Sequence, residues 1–103
     1  MAETYWITFS IARTGNPDQR YQDVLAEVRK LTSDLWWTEM SHFILFHSDH
    51  SIDEIAVQIL ARIDYEADFA LISKTETQEA RFVGHLEDAL LHEVMPYVQK
   101  VGP

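Results

Sequence analysis

Apolar residues recur at every second position across Tyr5, Ile7, Phe9 and Ile11, and then at helical spacing across Tyr21, Val24, Leu25, Val28 and Leu31. A chain that switches period in this way commits its first segment to a strand with one face on a core. It commits the second to an amphipathic helix lying on that core. Between them, Thr14-Gly15-Asn16-Pro17-Asp18 supplies turn residues and a candidate N-cap in Asn16. The missing N–H of Pro17 costs nothing in a first helical turn. Arg20, Asp23, Glu27 and Lys30 fall on the other faces, and the helix is expected to reach about Thr32.

The same alternation of elements continues. Leu35 to Ser48 is too long for one ordinary strand and is rich in aromatic and branched residues, so it predicts a hairpin with strands at about Leu35 to Thr38 and His42 to His47. Its turn has neither Asn-Gly nor Asp-Gly, which leaves a single bent strand as the other reading. Ser51-Ile52-Asp53-Glu54 is a capping box opening a second helix with the stripe Ile52, Ile55, Ala56, Ile59, Leu60 and Ile63. Phe69 to Lys74 is a short apolar segment suited to the middle of a sheet.

The resulting order is β-α-β-β-α-β, and right-handed crossovers would place both helices on one face of an antiparallel sheet. The fold class expected is therefore α+β, a ferredoxin-like split βαβ unit over residues 1–103, with a C-terminal extended segment and helix. Ala80 to Gly84 reads as a short edge strand or the start of the last helix, and Gly84 favours the strand. From Leu86, the positions Leu90, Val94 and Tyr97 or Val98 recur helically until Pro96 breaks the pattern, and Gly102-Pro103 reads as a tail.

Composition narrows the function classes. With 103 residues, 47% of them hydrophobic, the chain can bury roughly 65% of its unfolded surface and needs no staple or metal to fold. It has no cysteine, which excludes disulfides, a thiolate nucleophile, iron–sulfur clusters and Cys-bearing zinc sites. The N-terminus carries no basic residue, and apolar runs such as Phe43 to Phe46 fall far short of the roughly 20 residues that span a bilayer. A soluble, cytoplasmic protein is expected. The formal net charge of −9 repels phosphate backbones and anionic lipid, so nucleic-acid binding is disfavoured. Solubility explains that charge simply, and docking to a basic protein partner is the sharper alternative.

Three groups of residues are candidates for function. The sheet face away from the helices should present Trp6, Thr8 and Ser10 with one of Trp36 or Trp37, an aromatic surface that the last helix or a second subunit would cover. On this ground a homodimer is expected. His47-Ser48-Asp49-His50, at a strand end, is the densest polar cluster and places two imidazoles around a carboxylate, as a metal or catalytic site could; a polar turn explains it more simply. His85, Asp88 and His92 can share a helix face, although flanking Leu90, Leu91 and Val94 favour a structural histidine. No phosphate-binding glycine loop, nucleophile elbow or His-Glu-x-x-His motif is present.

The opening Thr4-Tyr-Trp-Ile-Thr-Phe-Ser-Ile, the Trp36-Trp37 hairpin, the Phe43-Ile-Leu-Phe strand, Asp68-Phe-Ala-Leu-Ile-Ser-Lys74 and Ala80-Arg-Phe-Val-Gly84 resemble the SinR-like bacterial proteins. Those in turn look like the small CRISPR adaptation subunit and the VapD-type ribonucleases. The resemblance implies a dimeric ferredoxin-like scaffold. In the nuclease-like relatives the first strand ends in a Tyr-Asp-like pair whose aspartate, one from each subunit, holds a metal. The matching residues here are Phe9 and Ser10, and an uncharged serine is a poor ligand for a hard cation. The reading that follows is a non-catalytic interaction domain without a cofactor. The alternatives are a divergent nuclease using Ser10, His47, Asp49 or His50 with magnesium or manganese, and an acidic decoy for a basic partner.

Overall fold

The computed structural model describes residues 2–86 and 90–102. Its elements are β1 (Glu3–Ser10), α1 (Pro17–Leu31), β2 (Trp36–Met40), β3 (Phe43–Ser48), α2 (Ile52–Leu60), β4 (Phe69–Lys74), β5 (Ala80–Gly84), α3 (Leu90–Val94) and β6 (Val98–Lys100). All the strands join one sheet in the order β2-β3-β1-β4-β5-β6. Among the described residues the fold is α+β, with a six-stranded sheet and three helices. No helix among the described residues is long and apolar enough to cross a membrane.

The period-2 pattern of β1 places it at the centre, antiparallel to β3 on one side and to β4 on the other. Tyr5, Ile7 and Phe9 point to the face covered by α1 and α2, together with Ile44 and Phe46 of β3, Ala70 and Ile72 of β4 and Val83 of β5. Val24, Val28 and Leu31 of α1 and Ile52, Ile55, Ala56 and Ile59 of α2 close this core from above. The capping box is formed as the sequence predicts, with Glu54 N–H donating to Ser51 Oγ at 3.1 Å and Ser51 N–H donating to Glu54 Oε1 at 2.9 Å.

Three expectations are corrected. Asn16 precedes α1 but its side chain makes no capping hydrogen bond. The sheet is mixed rather than wholly antiparallel, because β6 runs parallel to β5. Pro96 ends the last helix as expected, but Val98, read as continuing the helical spacing, opens that sixth strand, Val98 to Lys100. α1 and α2 lie on one face, as read, and α3 covers part of the other. There Phe82, Ala80 and Val98 form a second cluster with Phe69, Leu71, Leu91 and Met95.

The terminal segment is more than a tail. Val101 N–H donates to Phe82 O at 3.0 Å, and Gly102, at φ +95°, lies against the Leu60 side chain where a Cβ would clash.

Candidate interaction surface

Among the described residues, the second cluster covers the β4–β5–β6 half of the sheet's reverse face. On the other half, Trp6 and Thr8 of β1 alternate with the buried Tyr5, Ile7 and Phe9, and Phe43, Leu45 and His47 of β3 alternate with the buried Ile44, Phe46 and Ser48. The register sets Trp6 opposite Leu45 and Thr8 opposite Phe43. Trp6 stacks on Phe43 at a centroid distance of 6.1 Å, and Trp37 meets the same ring edge-on at 6.3 Å. Among the described residues, Trp6, Phe43, Leu45 and Trp37 join neither apolar cluster.

The two tryptophans of β2 part company, as the period of a strand requires. Trp37 pairs with Leu45 and faces the open side, where it is 43% exposed. Trp36 packs against the helix-side core, with the Arg29 guanidinium 5.8 Å from its ring centre. Trp36 is therefore removed from the open surface and Trp37 retained.

Beyond Trp37 the alternation breaks. Trp37 pairs with Leu45 and Met40 with Phe43, so β2 uses three steps where β3 uses two. This is a β-bulge, and it turns Met40 to the same side as Trp37. Met40 is 57% exposed and Leu35, just before the strand, 65%. The sequence reading ends this strand at about Thr38 and leaves Met40 in the turn, so it misses Met40. Phe43 and Leu45 were legible from the period of β3 once the hairpin was placed.

Trp6, Thr8, Leu35, Trp37, Met40, Phe43 and Leu45 form an uncharged patch on a chain with seventeen acidic side chains, bordered by His47, which pairs with Asp34. Ser10 is exposed at the far end of β1, paired with Phe69 of β4. No carboxylate accompanies it in β1, whose acidic residue, Glu3, is at the other end.

The histidine-rich turn is resolved into separate pairs. His47 Nδ1 lies 3.1 Å from Asp34 Oδ1, while His50 Nδ1 lies 3.7 Å from Glu54 Oε2 on α2. The Asp34 carboxyl is held below its ordinary range, first by the Leu35 N–H and then by His47. Ser48 is buried, donating to Leu31 O at 2.6 Å and accepting from His50 N–H at 3.1 Å, which ties the turn to the end of α1. The His50 carbonyl accepts the Tyr5 hydroxyl at 2.9 Å. Asp49 is exposed between them. Among the described residues, no three His, Asp or Glu side chains are grouped so that they could hold a metal ion.

On the last helix, His92 stacks edge-on against Phe82 at 5.7 Å and is part of the packing there. His85 is exposed just after β5, and Asp88 lies outside the described residues. No family model, no curated protein and no solved structure matches this chain.

Proposed function

We propose that this chain is a self-associating interaction domain built on a ferredoxin-like split βαβ unit. In this reading it is related in shape to the SinR-like proteins, the CRISPR adaptation subunit and VapD, and lacks their metal-dependent nuclease centre. The order β2-β3-β1-β4, with β3 lying between the two strands that α1 connects, supports the fold part of the reading.

The observation that carries the functional part is the uncharged apolar surface on the β2–β3–β1 half of the sheet. Net charge keeps two copies apart everywhere else, but here a second copy can dock without burying a like-charged pair. Tryptophan, methionine and phenylalanine are also the residue types enriched at the centres of protein interfaces. Ser10, neutral at the position where the nuclease-like relatives place their aspartate, favours binding over hydrolysis as the role of the scaffold.

The test is the mass in solution. Sedimentation of the parent chain at high micromolar concentration should give twice the 12.0 kDa of one chain, and Trp37→Glu with Met40→Glu should give single chains that remain folded. A parent that stays monomeric throughout the range would overturn the reading. So would magnesium- or manganese-dependent cleavage of RNA or DNA that disappears in His47→Ala.

A further inference from the structure

The loop between β1 and α1 is fixed at both of its shoulders. Ala12 donates its N–H to Asp68 Oδ1 at 2.8 Å. Arg20 reaches back from α1 to the carbonyls on either side of residue 13, with Nη2 to Ala12 O at 2.9 Å and Nη1 to Thr14 O at 2.8 Å. Asp68, which holds both Ala12 and Arg20, is fully buried. Arg13 is thus carried on backbone pinned immediately before and after it. Its own side chain is exposed and takes part in no ion pair among the described residues.

Arg13 lines a cavity of about 320 Å³ beside the end of β1. Asp18, from the first turn of α1, lines the same cavity, and it too is exposed and outside any ion pair among the described residues. One wall is aromatic: Tyr21 and His42 meet at 4.9 Å, and Phe9 supports both, at 5.6 and 5.4 Å. This wall is held in place because the His42 carbonyl accepts the Phe9 N–H at 3.1 Å and the Thr8 hydroxyl at 2.9 Å. Ile11 and Pro17 supply apolar lining, and Ser41 a hydroxyl.

A cation on a pinned loop, an anion lining the same cavity and a ring-lined wall make a complementary set. The molecule that answers all three is small and carries a carboxylate, an ammonium and a flat apolar group. A phosphate would bring its charge against Asp18, and a plain amine would leave Arg13 unanswered. The volume is at the lower end of ligand pockets, which suits a ligand of that size rather than a dinucleotide. We infer that this cavity binds a free aromatic α-amino acid, with its carboxylate on Arg13, its ammonium on Asp18 and its ring against Tyr21 and His42. The site is on the helix side of the sheet and does not depend on self-association through the reverse face.

The test is a titration of the full chain with L-phenylalanine, L-tyrosine and L-tryptophan, followed by amide chemical shifts and calorimetry. Phenylacetate and phenethylamine serve as the single-charge controls. At least one of the amino acids should give saturable shifts confined to residues 11–13, 18–21 and 41–42. Each control should bind about tenfold or more weakly, since each lacks one charged contact. Arg13→Gln and Asp18→Asn change exposed side chains and should fold like the parent, each lowering affinity about tenfold. His42→Gly should also fold, because φ +62° at that position suits glycine, and it should weaken binding by removing the ring. The inference is overturned if none of the three amino acids saturates at millimolar concentration, or if phenylacetate binds as tightly as they do. Binding unchanged in Arg13→Gln overturns it as well.

Discussion

Arg20 and Asp68, 48 residues apart, meet in a two-point contact, Nε to Oδ2 at 2.7 Å and Nη2 to Oδ1 at 3.3 Å, with the carboxylate fully buried. Asp68 also accepts the N–H groups of Ala12 and Asp64, so one side chain ties the exits of β1 and α2 to the start of β4. Removing one member leaves the other charge, or several backbone donors, without partners. Asp68→Ala is expected to cost about 3–5 kcal/mol, and Arg20→Ala toward the lower end of that range because its side chain is partly solvated. Urea unfolding at constant m-value measures both.

The same carboxylate sets a pH dependence. Burial by itself would raise the Asp68 pKa, but the Arg20 guanidinium and the N–H groups of Asp64 and Ala12 outweigh it and hold the group below its ordinary value. The folded chain therefore binds fewer protons here than the unfolded chain, whose aspartates titrate near ~4. The stabilisation is complete above that pH and is lost as pH falls through the lower, folded value. Unfolding midpoints of the parent should fall steeply below about pH 4, and in Asp68→Asn the difference from the parent should shrink as the pH is lowered through this window.

Helix α2 is nine residues long and depends on its start. Ser51→Ala removes the acceptor for the Glu54 N–H and should cost about 1 kcal/mol, whereas Glu54→Gln keeps a capping side chain and should cost less. Thermal unfolding of the two variants side by side separates the cap from the charge. Equal losses in both would mean that the carboxylate's charge, not its hydrogen bond to Ser51, stabilises the helix end.

Legibility in the sequence followed the strength of local signals. The alternation of Tyr5, Ile7 and Phe9, the stripe of α1 and the Ser51–Glu54 box each state their element within a few residues, and the structure places all of them as read. Val98 to Lys100 was not legible because three residues cannot declare a period, and their strand exists only through pairing with β5. Met40 was left in the turn for a related reason. A bulge leaves no mark in residue order unless glycine announces it, and this one has none. The cavity around Arg13 escaped altogether, since it is assembled from the β1–α1 loop, α1 and the β2–β3 turn, and no spacing along the chain brings those together.

The adjacent tryptophans of β2 offer the sharpest separation of folding from association. Trp36 lies on the helix-side core beneath Arg29, so Trp36→Ala should destabilise the monomer by about 2 kcal/mol, less than a fully buried aromatic loses because the ring is partly exposed. Trp37 rests on Phe43 and solvent, and Trp37→Ala should change monomer stability by less than about 1 kcal/mol, in line with other exposed positions. Association should reverse the ranking, with Trp37→Ala raising the dissociation constant about tenfold or more and Trp36→Ala leaving it near the parent value at temperatures where the variant is folded. Urea melts under dilute conditions and sedimentation at rising concentration read the two effects independently. A Trp37→Ala chain that associates as the parent does would place the contact somewhere other than the open half of the sheet.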